Sequence, residues 1–85
     1  MRVVFPTHLR SYTGGRAEVE SQGATLADVL LDLDRRHPGV RFRVVDEQDR
    51  IRPHIKFFVG QELASTLDVP VGASDVLIVA AFSGG

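Results

Sequence analysis

Thr25-Leu26-Ala27-Asp28-Val29-Leu30-Leu31-Asp32-Leu33-Asp34-Arg35-Arg36-His37-Pro38-Gly39 is the stretch that decides the fold. Leu26, Val29, Leu30 and Leu33 stand at i, i+3, i+4 and i+7, which puts them on one face of a helix. Thr25 is a good N-cap, and Asp28 three residues later supplies a weak form of the capping box. Arg35 and Arg36 fall in the last turn, where positive charge suits the helix dipole. Pro38-Gly39 ends the element. The spacing predicts an amphipathic helix over residues 25–37, with Asp28, Asp32 and Asp34 read as its solvated face.

Outward from the helix, the flanking segments read as strands. Val3-Val4-Phe5 is β-branched and aromatic and is stopped by Pro6. Tyr12-Thr13-Gly14-Gly15 is a turn signal, and Arg16–Glu20 alternates polar and apolar residues, so the two strands make a hairpin. After the helix, residues 40–53 form an irregular connection with room for a short strand or a turn of helix, and Asp46-Glu47-Gln48-Asp49 is a solvated turn. Ile55–Gly60 is a third strand. Residues 63–71 are loop with at most a short edge strand. Gly72-Ala73-Ser74-Asp75 turns the chain into Val76-Leu77-Ile78-Val79-Ala80, a near-continuous apolar run of the kind that sits centrally in a sheet. One helix cannot cover both faces of a sheet, so it packs across one of them. The expected fold class is α+β: a β-grasp (ubiquitin-like), a mixed four- to five-stranded sheet under one main helix. Its core is expected from Val3, Phe5, Leu26, Val29, Leu30, Leu33, Ile55, Phe57, Val76 and Ile78. The domain is placed at residues 1–81, with 82–85 as a flexible C-terminal tail.

Composition narrows the function. The chain of 85 residues is 44% hydrophobic and 25% charged, with a formal net charge of −1. That size supports one compact core and leaves little for a deep substrate pocket. The absence of a basic excess removes the electrostatic footprint of general nucleic-acid binding. The chain has no cysteine, which excludes a disulfide scaffold, a thiolate metal site and a cysteine persulfide carrier. His8, His37 and His54 are scattered without metal-ligand spacing. Asp46–Asp49 lacks the glycine and distal glutamate of an EF-hand loop. No run approaches a membrane span, and the N-terminal apolar stretch is too short for a signal peptide. A cytoplasmic protein without nucleic-acid or membrane partners is expected.

Asp68-Val69-Pro70-Val71-Gly72-Ala73-Ser74-Asp75-Val76-Leu77-Ile78-Val79, followed by Gly84-Gly85, resembles the close of MoaD- and ThiS-like ubiquitin-like sulfur carrier proteins. Val4–Arg10 with Thr13-Gly14-Gly15 looks most like carriers of the CysO type, which serve cysteine biosynthesis. Related carriers serve methionine and siderophore or thio-metabolite pathways. The resemblance implies a carrier or co-substrate, not an enzyme. An E1-like adenylyltransferase of the MoeB/ThiF type would join the Gly85 carboxylate to AMP from ATP. A sulfur donor would displace AMP to leave a thiocarboxylate, and a sulfur-accepting biosynthetic enzyme would take the sulfur. No cofactor is bound permanently; ATP belongs to the partner's reaction. Ser83 stands where many members have Ala, and Phe82 is a second departure; both are expected to tune partner choice. The alternatives within this reading are the small subunit of a molybdopterin synthase and a ubiquitin-like modifier conjugated through Gly85. A plain interaction module with an inert end is a third.

The residues support a presented carboxylate on their own terms. A terminal Gly-Gly is usually only a frayed end, but here it follows a strand expected to be buried. Glycine lacks a Cβ, so Gly84 and Gly85 can enter a narrow channel. Extended, residues 81–85 reach roughly 17 Å. Strand alternation gives a second candidate surface. With Ile55, Phe57, Val76 and Ile78 facing the helix, Phe58, Leu77 and Val79 face outward with Lys56 beside them. Such an exposed apolar patch marks a partner-binding surface unless residues 40–53 fold over it or it is a crystal or dimer contact.

Overall fold

A computed structural model describes residues 1–81. The apolar stripe of the central helix sets the architecture. Helix α1, Leu26–Arg36, buries Leu26, Val29, Leu30 and Leu33. The capping box is complete: the Asp28 amide donates to Thr25 Oγ1 at 3.3 Å, and the Thr25 amide donates back to Asp28 Oδ2 at 3.3 Å. The next two free amides of the first turn are satisfied by the loop before the last strand. Leu26 N donates to Val69 O at 3.0 Å, and Ala27 N donates to Leu67 O at 2.8 Å. On the other flank Gly23 lets the chain before the helix pass close to its first turn: a Cβ there would sit 2.6 Å from the Val29 backbone nitrogen.

The strands are β1 (Arg2–Val4), β2 (Glu18–Glu20), β3 (Ile55–Val59), β4 (Glu62–Ala64) and β5 (Val76–Ala80). They form one mixed sheet in the order β2-β1-β5-β3-β4. The outer pairs β1–β2 and β3–β4 are antiparallel hairpins, whereas β1 and β5 run parallel at the centre. β5, the most apolar strand, therefore has a neighbour on both sides. Both edge strands are three residues long and each carries an exposed glutamate, a defence against edge-to-edge association. Every residue expected in the core is buried there, joined by Leu9, Val19, Val40, Val44, Val45, Ala64 and Val71. The expected β-grasp architecture is the observed one.

Three local features differ from the sequence reading or fill its gaps. Residues Thr7–Thr13 form a 3-10 helix ending at Gly14, whose φ of 66° is left-handed. In the connection after α1, one helical turn, α2 (Arg41–Val44), buries Val40, Val44 and Val45 and leaves Phe42 exposed. The third is a correction. Asp32 is not part of a solvated face; it is 7% exposed. Ser21 Oγ donates to its Oδ2 at 2.8 Å, Arg36 Nε at 2.9 Å and the Gln22 amide at 3.2 Å, while Arg35 pairs with Oδ1. Burial pushes this carboxyl up, but the bonds from Ser21, Arg35 and Gln22 and the Arg36 charge outweigh it and hold the pKa at about 2. Of its two neighbours, Asp28 is exposed, and Asp34 is half-buried and accepts from the amides of Gly39 and Arg41.

Candidate functional site

The outer face of the sheet follows from strand pairing. β3 and β5 pair with Phe58 opposite Leu77 and Lys56 opposite Val79. All four residues expected at this surface are thus two adjacent cross-strand pairs, with directly opposed Cβ atoms roughly 4.5–5.5 Å apart. The register extends the apolar row in both directions. Leu77 aligns with Val4 on β1, and Phe58 aligns with Leu63 on β4. Leu63 is 55% exposed and Leu77 39%; Phe58, Val4 and Val79 are half-buried, and Lys56 is exposed. Residues 40–53 therefore do not seal this face. Val4 was readable from its alternation with buried Val3 and Phe5. Leu63 required the β4 register, which a three-residue edge strand hardly signals.

The row is closed by charge at one end and opens onto a groove at the other. At the start of β1, the Arg2 amide and guanidinium both donate to Asp75, at 2.9 and 3.2 Å, and Arg2 also approaches Glu18. Bonding from Arg2, its amide first, holds the Asp75 carboxyl below its ordinary range. Toward the end of β5, the row passes into a groove of about 500 Å3 lined by Val4, Pro6, Thr7, Leu77, Val79 and Ala80. One residue beyond Ala80, Ala81 N donates to His54 O at 2.8 Å. Phe82, Ser83, Gly84 and Gly85, the tail residues singled out in the sequence, lie outside the described residues.

His8 and His54, scattered in sequence, meet beside this strand end with ring centres 6.5 Å apart. His37 instead closes α1, its amide donating to Leu33 O at 2.7 Å. No group of three or more His, Cys, Asp or Glu side chains among the described residues is placed to hold a metal ion. Nor is any helix among them long and apolar enough to cross a membrane. What this surface offers chemically is a hydrophobic contact beside a strand end.

Comparisons with known proteins agree with this geometry. The ThiS family model matches residues 3–85. The sulfur carrier protein CysO of Mycobacterium tuberculosis (strain ATCC 25618 / H37Rv) is 32% identical over 89 residues, covering 98% of this chain and 96% of the relative. Among solved structures, a chain of the Amycolatopsis orientalis BexX/CysO complex superposes with a TM-score of 0.90 at 33% identity, over 99% of this chain and 98% of its own length. SAMP1 from Haloferax volcanii superposes with a TM-score of 0.77 at 27% identity, over 100% of this chain and 98% of its own.

Proposed function

This chain belongs to the ThiS family of ubiquitin-like sulfur carriers, and from that premise we propose that its reacting group is the Gly85 carboxylate. One carboxylate oxygen attacks the α-phosphorus of ATP on an E1-like adenylyltransferase, and pyrophosphate leaves. Hydrosulfide, free or released from a sulfur donor, then attacks the acyl carbon and AMP leaves, so oxygen is replaced by sulfur with no change in oxidation state. The thiocarboxylate sulfur next displaces an oxygen leaving group, a carboxylate or a phosphate, from an electrophilic carbon of the acceptor held by the accepting enzyme, giving a thioester. Water attacks the acyl carbon, the sulfur departs with the acceptor, and the carboxylate is restored. The end product is cysteine, methionine or a thio-metabolite. The carrier itself does no acid–base chemistry and retains no cofactor.

The observation that carries this reading is the position of the apolar row. Val4, Leu77, Phe58 and Leu63 lie across the open face of the sheet, and the groove beside them runs along β5 to Ala80, one residue before the Ala81–His54 bond. A partner seated on this row stands next to the strand that carries Gly85. Pairing with a partner protein is in keeping with the BexX/CysO complex, one chain of which this protein resembles.

The test is intact mass after incubation with the adenylyltransferase, ATP and sulfide, with a melting curve beside it. The mass increase of oxygen replaced by sulfur is expected for the intact chain and is expected to vanish when Gly85 is deleted, with melting unchanged. Deletion withdraws the carboxylate by about 3.3–3.6 Å, whereas reaction requires atoms within about 3–3.5 Å of one another. Equal yield from the deletion variant excludes the carrier reading. Adducts of the chain on other proteins would identify a modifier instead.

A further inference from the structure

On the side of the β5 end formed by the 3-10 helix and α2 lies an open cleft of about 450 Å3, lined by His8, Tyr12, Phe42, Arg43, Arg52 and His54. None of the residues lining it is acidic. The two guanidinium groups are held in place by aromatic rings and a backbone oxygen. The Arg43 guanidinium carbon lies 5.8 Å from the Tyr12 ring centre, with Nε donating to the Tyr12 hydroxyl. That of Arg52 lies 4.9 Å from the Phe42 ring centre, and its Nε donates to Phe42 O at 2.8 Å.

Four other arginines behave differently. Arg2, Arg35, Arg36 and Arg41 each form an ion pair with a carboxylate of this chain. Among the described residues neither Arg43 nor Arg52 does. Arg52 does contribute to lowering the Asp46 carboxyl, but it comes last, after the Arg50 and Gln48 amides and the Arg50 charge. A chain of net charge −1 thus concentrates two oriented cations, with two histidines, in one cleft. A guanidinium oriented by a ring and bonded through Nε has its terminal nitrogens available for a bidentate carboxylate contact. Phe42, 55% exposed beneath Arg52, adds the aromatic-plus-arginine composition typical of the energetic centres of protein interfaces.

Position supplies the occupant. His54 lines the cleft and also accepts the bond from Ala81. A protein that takes residues 82–85 into its own active site therefore stands against this cleft. We propose that the cleft receives aspartate or glutamate side chains from the adenylating partner, and that Arg43 and Arg52 select that partner while the apolar row supplies the bulk of the contact. This rests on the carrier reading above. The cleft is wide and its cations are at the surface, a form suited to a carboxylate borne on a protein loop.

The experiment is ATP–pyrophosphate exchange by the adenylyltransferase of the same organism, with the full-length carrier as the varied substrate. Arg43→Glu and Arg52→Glu are each expected to raise the KM for the carrier about tenfold, with kcat retained. Arg43→Gln and Arg52→Gln are expected to raise it less, and Arg→Lys at each position less still, because lysine keeps the charge and loses the planar fork. The KM of the wild type is expected to rise with ionic strength more steeply than that of the Arg43→Glu/Arg52→Glu double variant. Exchange with wild type and unchanged KM in the glutamate variants overturns the cleft while leaving the carrier reading intact. Loss of kcat at constant KM also overturns it. Absence of exchange with the wild-type carrier overturns the carrier reading, and the cleft's role with it.

Discussion

The two faces of β3 and β5 are built from the same five-residue strands and differ in kind. Ile55, Phe57, Val76 and Ile78 point under α1 and are at most 3% exposed. Lys56, Phe58, Leu77 and Val79 point away and are exposed or half-buried. The inner residues are fixed by packing, since a filled interior tolerates little change in volume. Three of the four outer residues, Phe58, Leu77 and Val79, are apolar without being enclosed, which stability alone does not require. Alternation along a strand thus separates a folding surface from a contact surface within ten residues of sequence.

The largest effect that would sharpen this contrast is on the inner face. Phe57 is fully buried between Ala64 and Ile78 in the sheet register. Phe57→Ala removes its packing and leaves a cavity, at an expected cost of about 3–5 kcal/mol. Chemical denaturation measures it. A loss below about 1 kcal/mol would show that the interior collapses around the change and that the inner face is less specific than its burial implies.

Substitution one residue along should have a different outcome. Leu77→Asp, and Phe58→Asp beside it, place charge on the open row. Leu77→Asp is expected to change stability by about 0.5 kcal/mol or less, as for other surface substitutions. Phe58 is half-buried, so its variant should cost somewhat more while remaining folded. Both are expected to weaken binding to the adenylating enzyme at least about tenfold, the effect of truncating an apolar anchor. Titration calorimetry with each variant checks this. Wild-type affinity in both would mean that the open row is not the interface, and the contrast between faces would then be one of burial alone.

Much of this contrast was legible in the sequence. The helix follows from Leu26, Val29, Leu30 and Leu33 at helical spacing, and the caps at Thr25 and Arg35–Arg36 agree with it. The central place of Val76–Ala80 follows from its unbroken apolar run. Alternation placed Phe58, Leu77, Val79 and Lys56 on one face without coordinates. The 3-10 helix was not legible, because Thr7–Thr13 carries no hydrophobic period. The Arg43–Arg52 cleft was not legible either. It is assembled from the 3-10 helix, α2 and the residues before β3, and none of these carries a local signal of the others. Asp32 was misread for a related reason. Polar type placed it with Asp28 and Asp34, but the donors that make its burial tolerable come from Ser21 and Gln22, outside the helix. Arg35 and Arg36 at i+3 and i+4 were the available clue.

Asp32 supplies the prediction that refines the contrast most. It is the one buried carboxylate among the described residues, so the enclosed side of the helix is not wholly apolar. Its folded pKa of about 2 lies below the ordinary 3.8, so the folded state releases this proton more readily than the unfolded chain. Its contribution to stability is therefore fully present above about pH 4 and is lost as pH falls through about 2. Asp32→Asn keeps the shape and one acceptor oxygen but gives up the charge that Arg35 and Arg36 face, so it is expected to destabilise by about 1–3 kcal/mol near neutral pH. Wild type and variant should then converge as pH falls from 4 to 2, since protonation removes from wild type what the substitution has already removed. Thermal melts across that range measure the gap. A constant gap would show that Asp32 acts through shape and neutral hydrogen bonds, and that the charge it shares with Arg35 and Arg36 adds nothing to the fold.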